Sequence, residues 1–260
     1  MIDSTRLKRR LADNRLTVGT WLTLAHPAIA EIMARAGFDW LTIDMEHSVI
    51  TIREAEELIR VVSLCGVPAL VRLTSNDDNQ IKRVMDAGAS GVIVPMVNTR
   101  ADAEKAVGAV NYPPRGRRGV GLARAQGYGP GFAGYREWLG GGGGVVIVMI
   151  EHIEAVRNLR EILSVEGVDG YFIGPYDLSS SMGLAGQLEH PEVVAAIAEI
   201  RATAKALAKA GGVHVIEPDP ARLRAFVDDG FSFIAYSLDI RMLDTAARSG
   251  LAQIDRERSK

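Results

Sequence analysis

At 260 residues, with 47% hydrophobic and 24% charged residues, the chain has the balance of a soluble globular protein and the length to bury a sizeable core. Its 30 Lys+Arg against 32 Asp+Glu leave a net charge of -2 and no basic block, so nothing favours nucleic acid or an anionic membrane as partner. One cysteine, Cys65, excludes an intrachain disulfide framework and a multi-cysteine zinc site.

The N-terminus, MIDSTRLKRRLADNR, is charged throughout and lacks the apolar core of a signal peptide. No apolar stretch reaches membrane-spanning length, and the expected location is the cytoplasm. Short β-rich apolar runs then follow at 16–24, 40–44, 69–73, 91–95, 145–151, 170–174, 213–216 and 233–237. Between them, apolar residues recur at three- and four-residue intervals over 52–64, 79–87, 101–110, 155–163 and 192–210, as in amphipathic helices. Gly37, Gly88 and Gly230 each stand where a helix gives way to a strand, a position that favours the left-handed backbone glycine tolerates. The segment 112–144 breaks this rhythm with Pro113-Pro114, several arginines and glycines 140–144. It reads as a long Gly/Arg-rich loop between strands four and five, its glycine run a flexible joint. Eight strands with intervening helices predict a parallel sheet, and that count suits one (β/α)8 TIM barrel domain over 1–260. An open doubly wound sheet is the alternative, weakened because no dinucleotide glycine fingerprint follows the first strand.

In a barrel, function collects at the C-terminal ends of the strands. The second ends in Asp44-Met45-Glu46-His47, the third carries Arg72, the fifth runs into Glu151, and the sixth leads through Gly174-Pro175-Tyr176 into Asp177. Glu151 and Asp177 directly follow apolar strands, where a carboxylate needs a partner or a metal to offset desolvation. Two hard oxygen ligands without nearby cysteine suit Mg²⁺, Mn²⁺ or Co²⁺, with water and substrate completing the shell. The plainer account has Asp177 capping a helix and Glu151 pairing with Arg157. Arg72 either bridges to Asp44 or Glu46, or offers its fork to a developing oxyanion. His47, beside Glu46, is a candidate base as well as an ordinary loop histidine. Trp21 lines a pocket or packs, His214 reads as a satisfied core histidine, and the arginines after Pro114 as loop residues, one of them facing a partner subunit.

Trp21, Ile43-Asp44-Met45-Glu46-His47, Val71-Arg72, Val94-Pro95-Met96-Val97, Tyr112-Pro113-Pro114-Arg115-Gly116 and Phe172-Ile173-Gly174-Pro175-Tyr176-Asp177-Leu178-Ser179, in this order, resemble the HpcH/HpaI aldolase family. The resemblance implies a barrel whose last helix is exchanged between subunits, in a hexamer built as a trimer of dimers. It implies a class II aldolase that reversibly cleaves 4-hydroxy-2-oxo acids to an aldehyde and pyruvate, or a hydroxypyruvate-like 2-oxo acid. Glu151 and Asp177 would hold the divalent metal. Gly174, Pro175, Tyr176 and Asp177 would surround the substrate carboxylate, Arg72 would stabilise the enolate oxygen, and a dyad of His47 with Asp86 would move the proton. Met149 stands where better-known members have a substrate-contacting glutamine, and Tyr176 where many relatives have alanine; both bear on substrate identity. A Schiff-base mechanism is not expected, because the strands contain no lysine. A CoA-ester lyase or 2-oxo acid decarboxylase on the same barrel, and a non-catalytic metabolite-binding barrel, are the competing readings.

Overall fold

The computed structural model describes residues 5–252 and 254, so the extreme ends of the expected 1–260 domain lie outside the described residues. Eight parallel strands close into a barrel in sequence order. They are β1 (Thr17–Leu22), β2 (Trp40–Asp44), β3 (Ala69–Arg72), β4 (Gly91–Val94), β5 (Val145–Ile150), β6 (Gly170–Ile173), β7 (Ala210–Val215) and β8 (Phe233–Leu238). β5, Val-Val-Ile-Val-Met-Ile, is buried along its whole length. A parallel strand lies between barrel interior and covering helices, so both of its faces are apolar.

Aromatic rings fill the interior. Trp40 and Phe233 stack with centroids 4.2 Å apart, and Phe172 meets Phe233 edge-on at 6.0 Å. Glycines opposite these rings make the room: a Cβ on Gly19 would fall 2.1 Å from the Trp40 ring, and one on Gly212 would fall 2.5 Å from Phe172. That packing explains why β7 begins at Ala210 rather than 213. Gly211 and Gly212 have little strand propensity but are held in register by β6 and β8. The preceding helix, Pro191–Ala206, correspondingly ends before the expected 210.

Three segments differ from expectation. The charged N-terminal stretch forms a helix, Thr5–Ala12, whose Leu7 and Leu11 close the base of the barrel beneath the interior rings. Lys8 fastens it through an ion pair of 2.9 Å with Asp169. The expected helix 155–163 is two short ones, Ile153–Arg157 and Leu159–Leu163, broken at Asn158, whose side chain donates to the Asn98 carbonyl. The excursion 112–144 is not bare loop. It holds a 3-10 turn, Arg124–Gln126, and a helix, Phe132–Gly140, packed around Tyr112, Tyr135 and Leu139. Its glycine run is a packed turn rather than a joint: Gly141 caps the helix, Gly142 takes φ +81, and a Cβ on Gly143 would strike the Trp138 ring. Because it joins the end of the helix Arg100–Val110 to the start of β5, the excursion lies at the base, opposite the strand C-termini.

Candidate active site

The mouth of the barrel is built around Arg72. Register pairs Asp44 of β2 directly with Arg72 of β3. The guanidinium therefore meets the carboxylate in a two-pronged contact, Nε to Oδ1 at 2.8 Å and Nη2 to Oδ2 at 2.6 Å. Its third nitrogen, Nη1, lies 3.4 Å from Glu46 Oε2. The arginine also covers the indole of Trp21, its Cζ 4.3 Å from the ring centroid. Asp44 additionally accepts from the backbone N–H groups of Glu46 and His47, which shapes the turn after β2.

Glu151, 3% exposed just after β5, sits in a slot. One oxygen accepts the Met96 backbone N–H at 2.7 Å, and a Cβ at Gly174 would come within 2.6 Å of the other. Met96 takes φ +52, a left-handed conformation unusual for a residue other than glycine, and so turns its N–H toward the carboxylate. Burial raises the Glu151 carboxyl to about 7; Glu46 and Asp177 push the same way, while the Met96 bond and Arg72 oppose them. Glu46 is likewise raised to about 7 by burial, against Arg72 and with Asp44 and Asp177. Asp177 is exposed in the first turn of the helix Pro175–Ser181. It does not cap that helix: the N-cap is Gly174, and no side chain caps it. Nor, among the described residues, does Glu151 pair with Arg157.

This donor set fits a hard divalent cation. Burial, with the neighbouring carboxylates adding to it, raises the affinity of Glu46 and Glu151 for protons, and Arg72 is the cation that offsets them, so the cluster of carboxylates has room for further positive charge. Among the described residues no three or more His, Cys, Asp or Glu side chains converge as a closed protein cage would require. Glu151 and Asp177 would thus leave positions for water or substrate.

Met149 and Trp21 belong to the interior cluster just below this charge, with Trp21 edge-on to Phe172 at 5.5 Å. Pro175 is the first residue of its helix, and Tyr176 is 53% exposed at the mouth. His47 is open to solvent, its Nε2 3.9 Å from Glu46 Oε2. Asp86 is elsewhere. It ends the helix Asp78–Asp86, which descends from the mouth, so it lies at the base with one buried oxygen unpartnered. Burial raises its pKa, and Arg118 and Gln126 oppose that shift. Within one chain, then, His47 and Asp86 are at opposite ends. Arg118 is turned inward, with Nη2 donating to Tyr135 Oη at 2.7 Å and the guanidinium over the Tyr112 and Tyr135 rings. The residue types mark no role for Met96, because backbone N–H contacts leave no trace on residue type, and His214 reads from the sequence as core.

Residues 17–246 match the family described as HpcH/HpaI aldolase/citrate lyase. The chain is 41% identical over 253 residues to a hydroxypyruvate/pyruvate aldolase of Sagittula stellata, covering 97% of this chain and 98% of the relative. It is 38% identical over 254 residues to a 4-hydroxy-2-oxo-heptane-1,7-dioate aldolase of Salmonella paratyphi A, covering 97% and 95%. Its fold superposes with a TM-score of 0.88 on an HpcH/HpaI aldolase/citrate lyase family protein from Burkholderia cenocepacia J2315, at 33% identity over 95% of this chain and 98% of the other.

Proposed function

The chain belongs to the HpcH/HpaI aldolase/citrate lyase family and is a carbon–carbon lyase of the aldolase type, and on that premise we propose that it cleaves and forms 4-hydroxy-2-oxo acids, releasing pyruvate or hydroxypyruvate and an aldehyde. The observation that carries this reading is the mouth itself: Arg72, clasped by Asp44 at 2.6 Å, stands 3.4 Å from Glu46 in a group of carboxylates that includes the buried Glu151. Glu151 and Asp177 would hold a divalent ion, Mg²⁺, Mn²⁺ or Co²⁺. Such an ion, when bound, supplies Lewis-acid chemistry at the carbonyl of the 2-oxo acid.

The chain's own residues do the rest. Arg72 is a fixed positive charge beside the keto oxygen, and stabilises it as negative charge develops. The bond to Asp44 holds the guanidinium in place before substrate arrives, so little reorganisation is needed. Backbone amides at Tyr176 and Asp177, in the first helical turn after Gly174-Pro175, suit the substrate carboxylate because such N–H groups have no intrahelical acceptor. Trp21, Met149 and Phe172 keep the floor of the site apolar and exclude water. His47 takes the proton of the C4 hydroxyl in cleavage and returns it in synthesis. None of the eight strands carries a lysine for a Schiff base.

A dyad of His47 with Asp86 requires a second copy, because mouth and base are separated within one chain. The last helix, Asp239–Ala252, supports an assembly: only Asp239 is buried, and Ile240, Leu243 and Leu251 are exposed. An exchanged helix in a hexameric trimer of dimers would cover them. Among the described residues no helix is long and apolar enough to cross a membrane, and a cytoplasmic enzyme accords with that.

The test is proton exchange. Purified protein with Mn²⁺ should exchange the methyl protons of pyruvate for deuterium and stop on chelation. Exchange that survives both chelation and Glu151→Ala would sink the metal assignment, and no exchange under any divalent ion would sink the aldolase reading.

A further inference from the structure

His214 is a partly buried imidazole on the inner face of β7, close under the mouth, that the mechanism above does not use. Its Nε2 lies 3.1 Å from the Ser237 carbonyl oxygen. A carbonyl can only accept, so Nε2 carries the hydrogen. The carbonyl is aimed there by the backbone: Ser237 takes φ +54 in β8, beside a register shift between β8 and β1. The same oxygen accepts from Thr20 Oγ1 at 3.0 Å, and Ser237 Oγ donates to the Ile216 carbonyl at 2.9 Å. These contacts hold an unfavourable backbone conformation in place.

Burial pushes the imidazole down to about 4, and the Arg72 charge acts in the same direction, so the ring is neutral and Nδ1 keeps its lone pair. Among the described residues nothing donates to Nδ1. The ring lies 5.7 Å from the indole of Trp21, which is 2% exposed and whose Nε1–H is buried with no acceptor. The wall below Arg72 thus carries a lone-pair acceptor without a donor, beside the apolar Met149 and Phe172. A hydroxyl can donate to that lone pair, where a methyl group cannot.

We propose that His214 is a specificity-determining residue that accepts a hydrogen bond from a substrate hydroxyl beyond the 2-oxo acid group, so that the enzyme favours hydroxylated reactants over their deoxy counterparts. This rests on the aldolase reading above. The hydroxyl has two sources: C3 of a hydroxypyruvate donor, or C2 of an α-hydroxyaldehyde acceptor.

The experiment measures two ratios of kcat/KM in the full-length protein with Mn²⁺. One is C3 proton exchange of hydroxypyruvate against pyruvate; the other is addition of pyruvate to glycolaldehyde against acetaldehyde. His214→Phe keeps a ring but removes the acceptor, and should lower at least one ratio about tenfold, the size expected when a polar group loses its partner. The ratio that falls identifies the source. His214→Gln, whose amide can donate to Ser237 and still present an oxygen, should recover most of the preference. Both ratios unchanged in His214→Phe, or a glutamine variant no better than phenylalanine, overturns the proposal while pyruvate exchange upholds the aldolase. Absence of pyruvate exchange in the unsubstituted protein overturns both.

Discussion

Two inward-turned arginines, Arg72 partly buried and Arg118 fully so, sit at opposite ends of this barrel, and their surroundings differ in kind. Arg72, at the mouth, is placed by strand register against Asp44 and faces Glu46, in a region where carboxylates outnumber cations. Arg118, at the base, is 3% exposed between two tyrosine rings, with Nε and Nη1 lacking partners and Asp86 nearby. At the mouth the imbalance is negative and open, which suits a cation and an anionic substrate. At the base Arg118 has Asp86 as a counter-charge in a closed setting, and with Tyr135 Oη donating to the Met85 carbonyl it pins the excursion to the helix Asp78–Asp86. The difference teaches that buried charge by itself does not mark a site; charge left unbalanced where a ligand can enter does.

The largest effect should come from Arg72→Ala. It removes one partner of a buried pair and leaves Asp44 uncompensated, which costs about 3–5 kcal/mol in chemical denaturation. It should also slow pyruvate exchange by about 10²–10³-fold. A variant that folds and exchanges normally would place the oxyanion elsewhere.

Next comes pH. Glu46 and Glu151 have folded pKa values near 7 against an ordinary 4.5, so the folded protein binds these protons more tightly than the unfolded chain does. Without metal, stability should therefore fall as pH rises from about 4.5 to about 7 and level off above, by on the order of 2–4 kcal/mol. Thermal melts at pH 5 and pH 8 measure this. Mn²⁺ should restore stability at pH 8 and do little at pH 5, where protons already fill its place. Melting that is independent of both pH and metal would remove the electrostatic contrast with the base.

A smaller effect is expected at Met96. Val in a left-handed backbone should cost about 1–2 kcal/mol and weaken Mn²⁺ binding by turning an N–H away from Glu151, whereas Gly should be tolerated. Titration of Mn²⁺ into Met96→Val and Met96→Gly separates the two. Smallest of all, Tyr135→Phe at the base removes the hydroxyl that accepts from Arg118 and should lower stability by about 1 kcal/mol in denaturant.

Most strand cores were legible as short apolar runs, β4 and β5 being almost wholly Val and Ile, whereas the Ala-Gly-Gly start of β7 was not. The helix Ile52–Leu64 was legible to the residue, since Thr51 and Glu54 form a reciprocal cap at its start. The helix Thr5–Ala12 was not, because its few apolar residues find their partners far along the chain; Phe132–Gly140 was not, because the glycines at 129, 131, 134 and 140–144 obscure its period. Within the site, strand-end position identified Arg72, Glu151 and Asp177. Nothing in residue type revealed that Met96 would bind Glu151 through its backbone, or that Asp86 would fall at the base while His47 stood at the mouth.

Taken alone, then, the sequence determined the period of each element and the chemistry delivered to the strand ends, because both depend on neighbours a few positions apart. Barrel closure decided the rest: that Asp44 clasps Arg72, that Gly174 makes room for Glu151, and that the Ser237 carbonyl sets the tautomer of His214. Those pairings join residues 23 to 28 positions apart whose meeting depends on register and on a ring of eight strands closing, and no local propensity encodes that.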